Sequence, residues 1–546
     1  MTSNSAFPRR IVLAVSALCL VACLPSCRPV EAPLDDAARS GAARVPAAAG
    51  PAAAGPAAAG PAAARGNAAP RVIPALREWR GGQGTFRYGN GSRIIRSRAH
   101  AAALAGTSRT FAADLAALTG RKPAQLMGTA RDLRRGDILL TLGSRDRTLG
   151  REGYTLRVTG HATVGARTDT GAFYGTRTLL QLLHQSRAVP RGTARDWPKF
   201  PERGLMVDNG RKFFAPRWLA AHIKELSYLK LNYLHLHLSD NEGFRVESTS
   251  HPEFVAADKL TKRQVKDLIA LAARHKITVV PEFEAPGHMR AVLGQHTDLR
   301  LVSRTGEVHQ DRIDLSKPGA YKLIREIYTE YLKLFPGPYF HIGADEYRAD
   351  ADAHPQILAY ARKHYGPKAN AKDTYLGFIN WANRLVRAAG KTTRAWSDGV
   401  GGGSAVKVDP NVILEYWYTH GLTPQQHVDN GHRILNASWV PTYYILGGNK
   451  PDTVFGYEKW HPNLFQDGGT LRPASRSRNL GAKLHVWCDM PELQTEQQVA
   501  AGLREPLRML AQQVWGSPRP ARTWARYQPL INRIGRSPGW PRALKD

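Results

Sequence analysis

From residue 203 onward the chain repeats one pattern, a short run of strand-forming residues followed in most cases by a helical segment. Eight such runs occupy residues 204–211, 233–240, 277–286, 339–346, 392–399, 412–418, 433–439 and 483–489. Eight β units of this kind over roughly 300 residues are typical of a closed (β/α)8 barrel, an α/β fold. We therefore predict a barrel over residues 200–518, followed by a C-terminal helix and tail at residues 519–546.

A second folded unit precedes the barrel. Residues 137–142 and 154–158 have the composition of strands, and an apolar stripe with helical spacing runs through residues 170–185. Because strands and helices alternate here, residues 70–199 are predicted to form a small α/β domain.

The first 69 residues resemble a targeting segment and a spacer. Two arginines precede an apolar run, residues 11–22, which is too short to span a bilayer but is typical of a signal peptide. The run ends Leu-Val-Ala-Cys at Cys23, as bacterial lipoprotein signals do, and residues 46–64 repeat Pro-Ala-Ala-Ala-Gly. We expect a signal peptide at 1–22, a lipid-anchor region and linker at 23–69, and an exported protein that fractionates with membranes through Cys23. A plain cleaved signal, which would leave an extracellular protein, is the alternative.

The chain is strongly basic, with 76 lysines and arginines against 45 acidic residues, a formal charge of +31. This excess fits either a generally basic surface or attraction to anionic polymers and lipids. The sequence contains no compact basic block and no familiar nucleic-acid motif, so a nucleic-acid partner is not expected.

Cysteine and histidine placement argues against a metal site. Three of the four cysteines lie within the first 27 residues, which leaves Cys488 alone in the folded part and without a disulfide partner there. His235 and His237 lie two apart on one predicted strand and therefore face the same side, but the sequence indicates no third ligand. No metal or other cofactor is expected.

Two adjacent acids, Asp345 and Glu346, end the fourth predicted strand. In a (β/α)8 barrel the carboxyl ends of the strands carry the chemistry. Side chains alternate along a regular strand, but at its end two neighbours can reach one site. Two carboxylates at one site repel each other and raise one pKa, as a general acid at neutral pH requires. The alternative is a helix N-terminus, where acidic residues are common without a catalytic role.

Four further blocks stand in order with this pair of acids. They occupy residues 171–175 with 178–183, 203–208, 231–240 with 243–245, and 281–282 with 286–288. Together with the pair, and over residues 130–515, they closely resemble the motifs of family-20 glycoside hydrolases, the β-N-acetylhexosaminidases. The resemblance implies an exo-acting, retaining enzyme that releases terminal β-linked N-acetylhexosamine from oligosaccharides or glycoconjugates.

The resemblance also implies roles at the reacting centre. Glu346 would be the general acid and then the general base, while Asp345 would orient the substrate's acetamido group and balance its charge. Tyr444 would donate a hydrogen bond to the acetamide oxygen, and Asp240 with His288 would form a relay that sets the pKa of Glu346. Adjacent carboxylates cannot easily lie on opposite sides of a sugar, as a usual retaining pair does. The implied route is therefore substrate-assisted, through an oxazolinium ion.

The rest of the predicted pocket binds sugar. Arg203 would hold hydroxyl groups with its fixed fork of donors, and Asp489 would contact the sugar's 4- or 6-hydroxyl. Three indole rings would form the walls: Trp396, Trp417 and Trp487. For Asp240 and His288 an ordinary structural role at strand ends is the competing interpretation.

In four places the chain departs from the family pattern. Ala344 stands where glycine is common, Phe244 where tryptophan is common, Leu446 where an aspartate often follows the acetamide-binding tyrosine, and Asp489 where the late W-x-E motif has glutamate. The last two changes would affect contacts with the 4- and 6-hydroxyls. They leave open GlcNAc, GalNAc or a disaccharide as the released unit, as in lacto-N-biosidases. A non-catalytic glycan-binding lipoprotein on the same barrel is also open.

Overall fold

The computed structural model describes residues 66–418 and 421–544. The predicted signal peptide, the anchor at Cys23 and nearly all of the linker lie outside the described residues. Among the helices that are described, none combines the length and the apolar character needed to cross a bilayer.

The first domain is a mixed seven-stranded sheet with two helices. Its strands are β1 (Glu78–Arg87), β2 (Ile94–Ser97), β3 (Gln125–Gly128), β4 (Ile138–Thr141), β5 (Tyr154–Val158), β6 (Ala162–Ala166) and β7 (Ala188–Asp196), in the order β1-β7-β5-β6-β4-β2-β3. The helices are α1 (Ala105–Thr119) and α2 (Asp169–Gln185). This arrangement confirms the predicted α/β domain, including the strand at 154–158 and the helix near 170–185.

Helix α2 joins this domain to the barrel. Its first turn is capped by Thr168, whose hydroxyl accepts from the Gly171 amide, and residues 171–183 are buried. A helix buried on all sides must pack on two layers. It lies against β5 and β6 on one side and contacts helices that follow in the barrel on the other.

The second domain contains the remaining strands and helices. The strands are β8 (Glu202–Asp208), β9 (Tyr233–His237), β10 (Ser239–Asp240), β11 (Gly243–Val246), β12 (Val255–Leu260), β13 (Thr278–Ala285), β14 (Arg300–Val302), β15 (Val308–Ile313), β16 (Tyr339–Gly343), β17 (Thr392–Trp396), β18 (Ile413–Tyr416), β19 (Ile434–Asn436), β20 (Tyr443–Ile445) and β21 (Asn479–Trp487). The helices are α3 (Pro216–Tyr228), α4 (Lys262–Arg274), α5 (Arg290–Leu293), α6 (Pro318–Leu334), α7 (Pro355–Tyr365), α8 (Ala371–Ala388), α9 (Pro424–Asp429), α10 (Trp439–Thr442), α11 (Thr453–Glu458), α12 (Glu496–Gly502), α13 (Arg504–Trp515) and α14 (Trp524–Ile534).

Eight of these strands close into a parallel barrel. In order they are β8, β9, β13, β16, β17, β18, β19 and β21, and β21 closes the ring by pairing with β8. The prediction of a (β/α)8 barrel is confirmed. Each of the eight predicted runs contains most of one barrel strand, and all eight continue past its observed carboxyl end, where the residues leave the ladder.

A charged layer fills the barrel interior on the amino side of the site. Arg394 donates to Glu202 and Glu415 over 2.8 and 2.7 Å, and Lys483 Nζ lies 2.6 Å from Glu415. All four side chains are buried. Because each buried charge has an opposite partner, the desolvation cost of the layer is offset.

The fourth barrel strand ends in a left-handed turn. Gly343 has φ of 69°, and a Cβ at this position would collide with the carboxyl oxygens of buried Glu284. Glycine is therefore required for two reasons, backbone conformation and close approach of a side chain.

We expect Gly343→Ala to lower the free energy of unfolding by about 2–5 kcal/mol, the sum of a left-handed strain and an overpacking cost. Gly390→Ala is the matched control, since Gly390 has φ of 73° but no described atom within 4 Å of its Cβ position. It should lose only about 1–2 kcal/mol. Urea unfolding measures both, and equal losses would show that the Glu284 collision does not matter.

Candidate active site

The turn after β16 brings both acids to one imidazole. Ala344 and Glu346 have φ of 66° and 50°, so the alternation of an extended strand no longer applies. His288 Nε2 lies 3.2 Å from Glu346 Oε2 and 3.7 Å from Asp345 Oδ2. The Asp345 side chain is 13% exposed and that of Glu346 is 53% exposed. Asp345 therefore faces the protein interior, whereas Glu346 stands at the open side.

His288 is held from behind by a buried carboxylate. Its Nδ1 lies 3.2 Å from Asp240 Oδ1, and Arg211 and His237 each place a nitrogen 2.8 Å from Asp240 Oδ2. The predicted pairing of Asp240 with His288 is thus present in the structure. It leads directly to the two acids.

Burial and neighbouring charges shift the pKa values of the two acids in opposite directions. Burial raises the pKa of Asp345 to about 7, opposed by His288 and assisted by Asp398 and Glu346. The hydrogen bond from His288 lowers the pKa of Glu346. Burial disfavours a charged His288, but Asp345 and Asp240 outweigh it and hold the pKa of His288 well above its usual value. The adjacent pair does raise one pKa, as its spacing predicted, but the raised group is Asp345 rather than the expected acid, Glu346.

Aromatic rings form the walls beside these acids. Trp396 Nε1 donates to Glu282 over 2.6 Å, and Trp417 Nε1 donates to Asp398 over 3.1 Å. The Trp487 ring packs 5.7 Å from that of Trp396. The three predicted indoles therefore lie in one aromatic cluster, to which the structure adds Tyr443 and Trp439.

A cavity of about 590 Å³ opens beside Glu346 and two indoles of this cluster. Its lining includes Glu346, Asp398, Trp417 and Trp439. The Trp439 Nε1 and Asp345 Oδ1 atoms are buried without a hydrogen-bond partner among the described residues. Such unpaired donors and acceptors beside flat aromatic faces suit a sugar, which has apolar faces and many hydroxyl groups.

Comparison with known proteins identifies the family. Residues 200–516 match the model described as glycosyl hydrolase family 20, catalytic domain, and residues 69–197 match family 20, domain 2. The chain belongs to glycosyl hydrolase family 20. The predicted family membership is confirmed.

Named relatives fall in the same family. Lacto-N-biosidase from Bifidobacterium bifidum is 30% identical over 85% of this chain, and β-hexosaminidase from Porphyromonas gingivalis is 30% identical over 49% of it. The matches span only 42% and 38% of the lengths of those two proteins. The solved structure of Flavobacterium johnsoniae chitobiase superposes with a TM-score of 0.71 at 24% identity, over 85% of this chain and 72% of that one. This likeness supports the fold.

The prediction for Arg203 is wrong. Arg203 begins the first barrel strand, at the end opposite the acids, and is fully buried. Its guanidinium donates to Glu152 of the first domain over 2.8 Å and to the carbonyl oxygens of Lys230 and Phe200. The residue therefore fastens the two domains of this family 20 protein and cannot reach a sugar.

Arg211 is the arginine at the site. It follows the same strand at its carboxyl end, pairs with Asp240 and with Asp208 over 3.0 Å, and lies over the Trp487 ring. Burial opposes the charge of Arg211, but Asp240 and Asp208, with a smaller contribution from Asp489 at the end of the last predicted strand run, hold the pKa of Arg211 well above its usual value. Strand polarity was the available signal, because residue 211 ended the first predicted strand and residue 203 preceded it.

The prediction for Tyr444 is also wrong, by one residue. The Tyr444 hydroxyl accepts from Gln494 Nε2 over 3.1 Å and packs against Gly502 of α12, outside the barrel. Tyr443 instead joins the aromatic cluster, 5.9 Å from the Trp487 ring. Because faces alternate along β20, the residue two positions after the inward tyrosine is Ile445, and not Leu446, which is in the main core.

The structure gives two further groups, Asp398 and the buried barrel histidines, surroundings that the sequence did not indicate. Asp398, near the end of the fifth predicted strand run, accepts from the Glu346 amide over 3.0 Å and so touches the catalytic turn. The sequence indicated no third ligand for His235 and His237, and the structure puts them in separate groups, His235 with Glu282 and His341, and His237 with Glu282 and Glu284. Lys483 Nζ lies 2.9 Å from His235 Nδ1, however, and a second cation so close to a lysine is disfavoured.

We expect Tyr443→Phe to lower turnover of a chromogenic β-N-acetylhexosaminide by at least about tenfold, because it removes the only inward hydroxyl of β20. Tyr444→Phe should leave turnover within about twofold and cost about 1 kcal/mol of stability, since only its bond from Gln494 is lost. Steady-state kinetics and thermal unfolding of both variants show which of the two tyrosines faces the site. A large loss of turnover in Tyr444→Phe alone would restore the original assignment.

Proposed function

We propose that this chain is an exo-acting β-N-acetylhexosaminidase that releases terminal β-linked GlcNAc or GalNAc with retention of configuration. The observation that carries the proposal is the convergence of Asp345 and Glu346 on one side of the site, with His288 and Asp240 behind them. Family membership agrees with it. The substrate class is an oligosaccharide or glycoconjugate that ends in N-acetylhexosamine.

The placement of the two acids favours substrate-assisted catalysis. A protein nucleophile and an acid would have to stand about 5–5.5 Å apart on opposite sides of the scissile bond, and family 20 is a known exception to that rule. Here both carboxylates lie within 4 Å of one imidazole nitrogen. The sugar's own acetamido oxygen is then the nucleophile, and an oxazolinium ion is the intermediate.

Each side chain has a distinct task in this mechanism. The partnerless Oδ1 of Asp345 can accept the acetamide N–H, and its ionised form balances the charge of the forming ring. Tyr443 can donate to the acetamide oxygen. Glu346, on the open side, protonates the leaving oxygen and later takes a proton from water. Trp417 and Trp439, which line the cavity, pack against the sugar.

Release of a disaccharide is the second candidate. Ile445 is apolar and buried where the family often has an aspartate, and Asp489 is shorter than the usual glutamate. Both changes fall where the 4- and 6-hydroxyls of the sugar would lie, so the site has fewer carboxylates for a terminal monosaccharide. The similarity to a lacto-N-biosidase points the same way.

Export and a lipid anchor at Cys23 are part of the proposal. They rest on the first 27 residues of the sequence alone. Membrane fractionation of the wild type tests them.

We expect wild-type enzyme to hydrolyse one of three chromogenic substrates, the β-GlcNAc, β-GalNAc or β-lacto-N-biose glycoside, and Glu346→Gln to lose about 10²–10⁴-fold in turnover on natural disaccharides. The loss should be much smaller with a dinitrophenyl leaving group, which needs no proton. Lack of activity on all three substrates would favour a non-catalytic glycan-binding protein. Full activity of the variant on a disaccharide would remove Glu346 from the mechanism.

The raised pKa of Asp345 predicts an acid limb in the pH profile of kcat/KM. Because Asp345 must be ionised and its pKa is about 7, kcat/KM should fall as pH drops below about 7. Asp398→Asn removes a negative neighbour that raises this pKa, so the limb should shift to lower pH. Trp417→Phe removes a hydrogen bond that favours ionised Asp398, so it should move the limb in the same direction but by less than Asp398→Asn. A limb that does not move in Asp398→Asn belongs to another group.

A further inference from the structure

Two histidines and a glutamate meet where the connections after the second and third barrel strands come together. His251 Nδ1 lies 2.9 Å and His296 Nε2 lies 3.1 Å from the same oxygen of Glu253. The three ligand atoms lie within 4.8 Å of one another. We propose that His251, Glu253 and His296 bind a single Zn²⁺ ion, with water as the fourth ligand.

The donor set favours Zn²⁺ over Ca²⁺ and Mg²⁺. Two imidazole nitrogens and one carboxylate oxygen suit Zn²⁺, whereas Ca²⁺ and Mg²⁺ prefer oxygen ligands alone. Three protein ligands leave one coordination position open for water in a tetrahedral site. The two histidine rings stand nearly perpendicular, at 79°, so the two nitrogens approach Glu253 from different directions.

A second carboxylate stands behind the first histidine. His251 Nε2 lies 3.3 Å from Glu326 Oε2, on the side of the ring away from Glu253, but without hydrogen-bond geometry. A hydrogen bond between these two atoms would orient the imidazole and raise its basicity, as outer carboxylates do for metal-binding histidines. Glu326 extends from helix α6, and Lys322 lies 3.6 Å from its other oxygen. The Lys322 charge therefore stays outside the proposed site.

The ligands are accessible and are held in place by local packing. The His251, His296 and Glu253 side chains are 12%, 25% and 38% exposed, so an ion has an entry path. The Phe254 ring stacks on His251 at 5.5 Å and packs edge-on to His296 at 6.1 Å. A metal here would join the turn at 252–254 to the turn at 297–299, two connections that follow the second and third barrel strands. Its expected effect is stabilisation, because binding adds to folding free energy.

Zn²⁺ titration of purified, tag-free protein by isothermal calorimetry tests the proposal, after treatment with a chelator and its removal. We expect one ion bound with a micromolar or lower Kd, and a rise in melting temperature on saturation. Glu253→Gln and His296→Gln should each weaken binding by at least tenfold and abolish the rise. Glu326→Gln should weaken binding by about tenfold, as expected for an outer partner.

His364→Gln, a change at an exposed histidine on α7, is the matched control and should bind like the wild type. Two results would overturn the proposal: wild-type protein that takes up no Zn²⁺ at 100 times the expected Kd, or Glu253→Gln and His296→Gln variants that bind as tightly as the control. In either case the cluster would be a hydrogen-bonded surface triad. Hexosaminidase activity is not part of the readout, so failure here leaves the proposed function untouched.

Discussion

The buried carboxylate of Glu282 is the interaction on which the rest of the site depends. It accepts from His237 Nδ1 over 2.7 Å and from Trp396 Nε1 over 2.6 Å, and nitrogens of His235 and His341 lie 3.0 and 2.9 Å away. Burial opposes its ionisation, but His341, His237 and His235 outweigh this and hold its pKa well below the usual value. A lone carboxylate in such a place would cost several kcal/mol, and its ring of partners from β9, β16 and β17 offsets that cost.

From Glu282 a chain of side-chain contacts leads outward to the catalytic acid. Burial disfavours a charged His237, but Glu282 and Asp240 outweigh it and raise the pKa of His237 to about 10. The charged His237 ring contacts Asp240, Asp240 contacts His288, and His288 contacts Glu346. A change at Glu282 should therefore be felt at the catalytic acid, four contacts away, without any direct contact between them.

A second buried acid, Glu284, completes this arrangement. Glu284 is buried next to the turn, and its two carboxyl oxygens have no hydrogen-bond partner among the described residues. Burial, then repulsion from Asp345 and Glu282, raises its pKa well above the usual value. A raised pKa favours the uncharged form of Glu284, which adds no further repulsion to Asp345. An ionised Glu284 would push the pKa of Asp345 even higher and leave it neutral at the pH where its charge is needed.

The sequence allowed correct predictions where periodicity or a strand end carried the signal. It led to wrong ones where a shift of one residue decides which way a side chain faces. The eight strand runs and the adjacent acids were visible because both are local patterns. Tyr443 and Tyr444 look alike in sequence, and a one-residue slip in β20 reverses their faces. The residues His251 and His296 are 45 positions apart, and only the barrel brings them together. The distribution of protons between Asp345 and Glu346 depends on burial, which the sequence does not show.

That distribution also indicates what the substrate must change. In the free site the proton is held more firmly by Asp345 than by Glu346, the reverse of what the proposed mechanism needs. A sugar in the cavity would offer its acetamide N–H to Asp345, and a hydrogen bond to a carboxylate favours the ionised form. Its leaving group would cover Glu346, now half exposed, and burial favours the protonated form. Both effects act in the required direction, so binding of an N-acetylated sugar itself moves the proton to the acid. A sugar without the acetamido group would supply only one of them, which gives the site a second reason, besides the missing nucleophile, to turn over such sugars slowly.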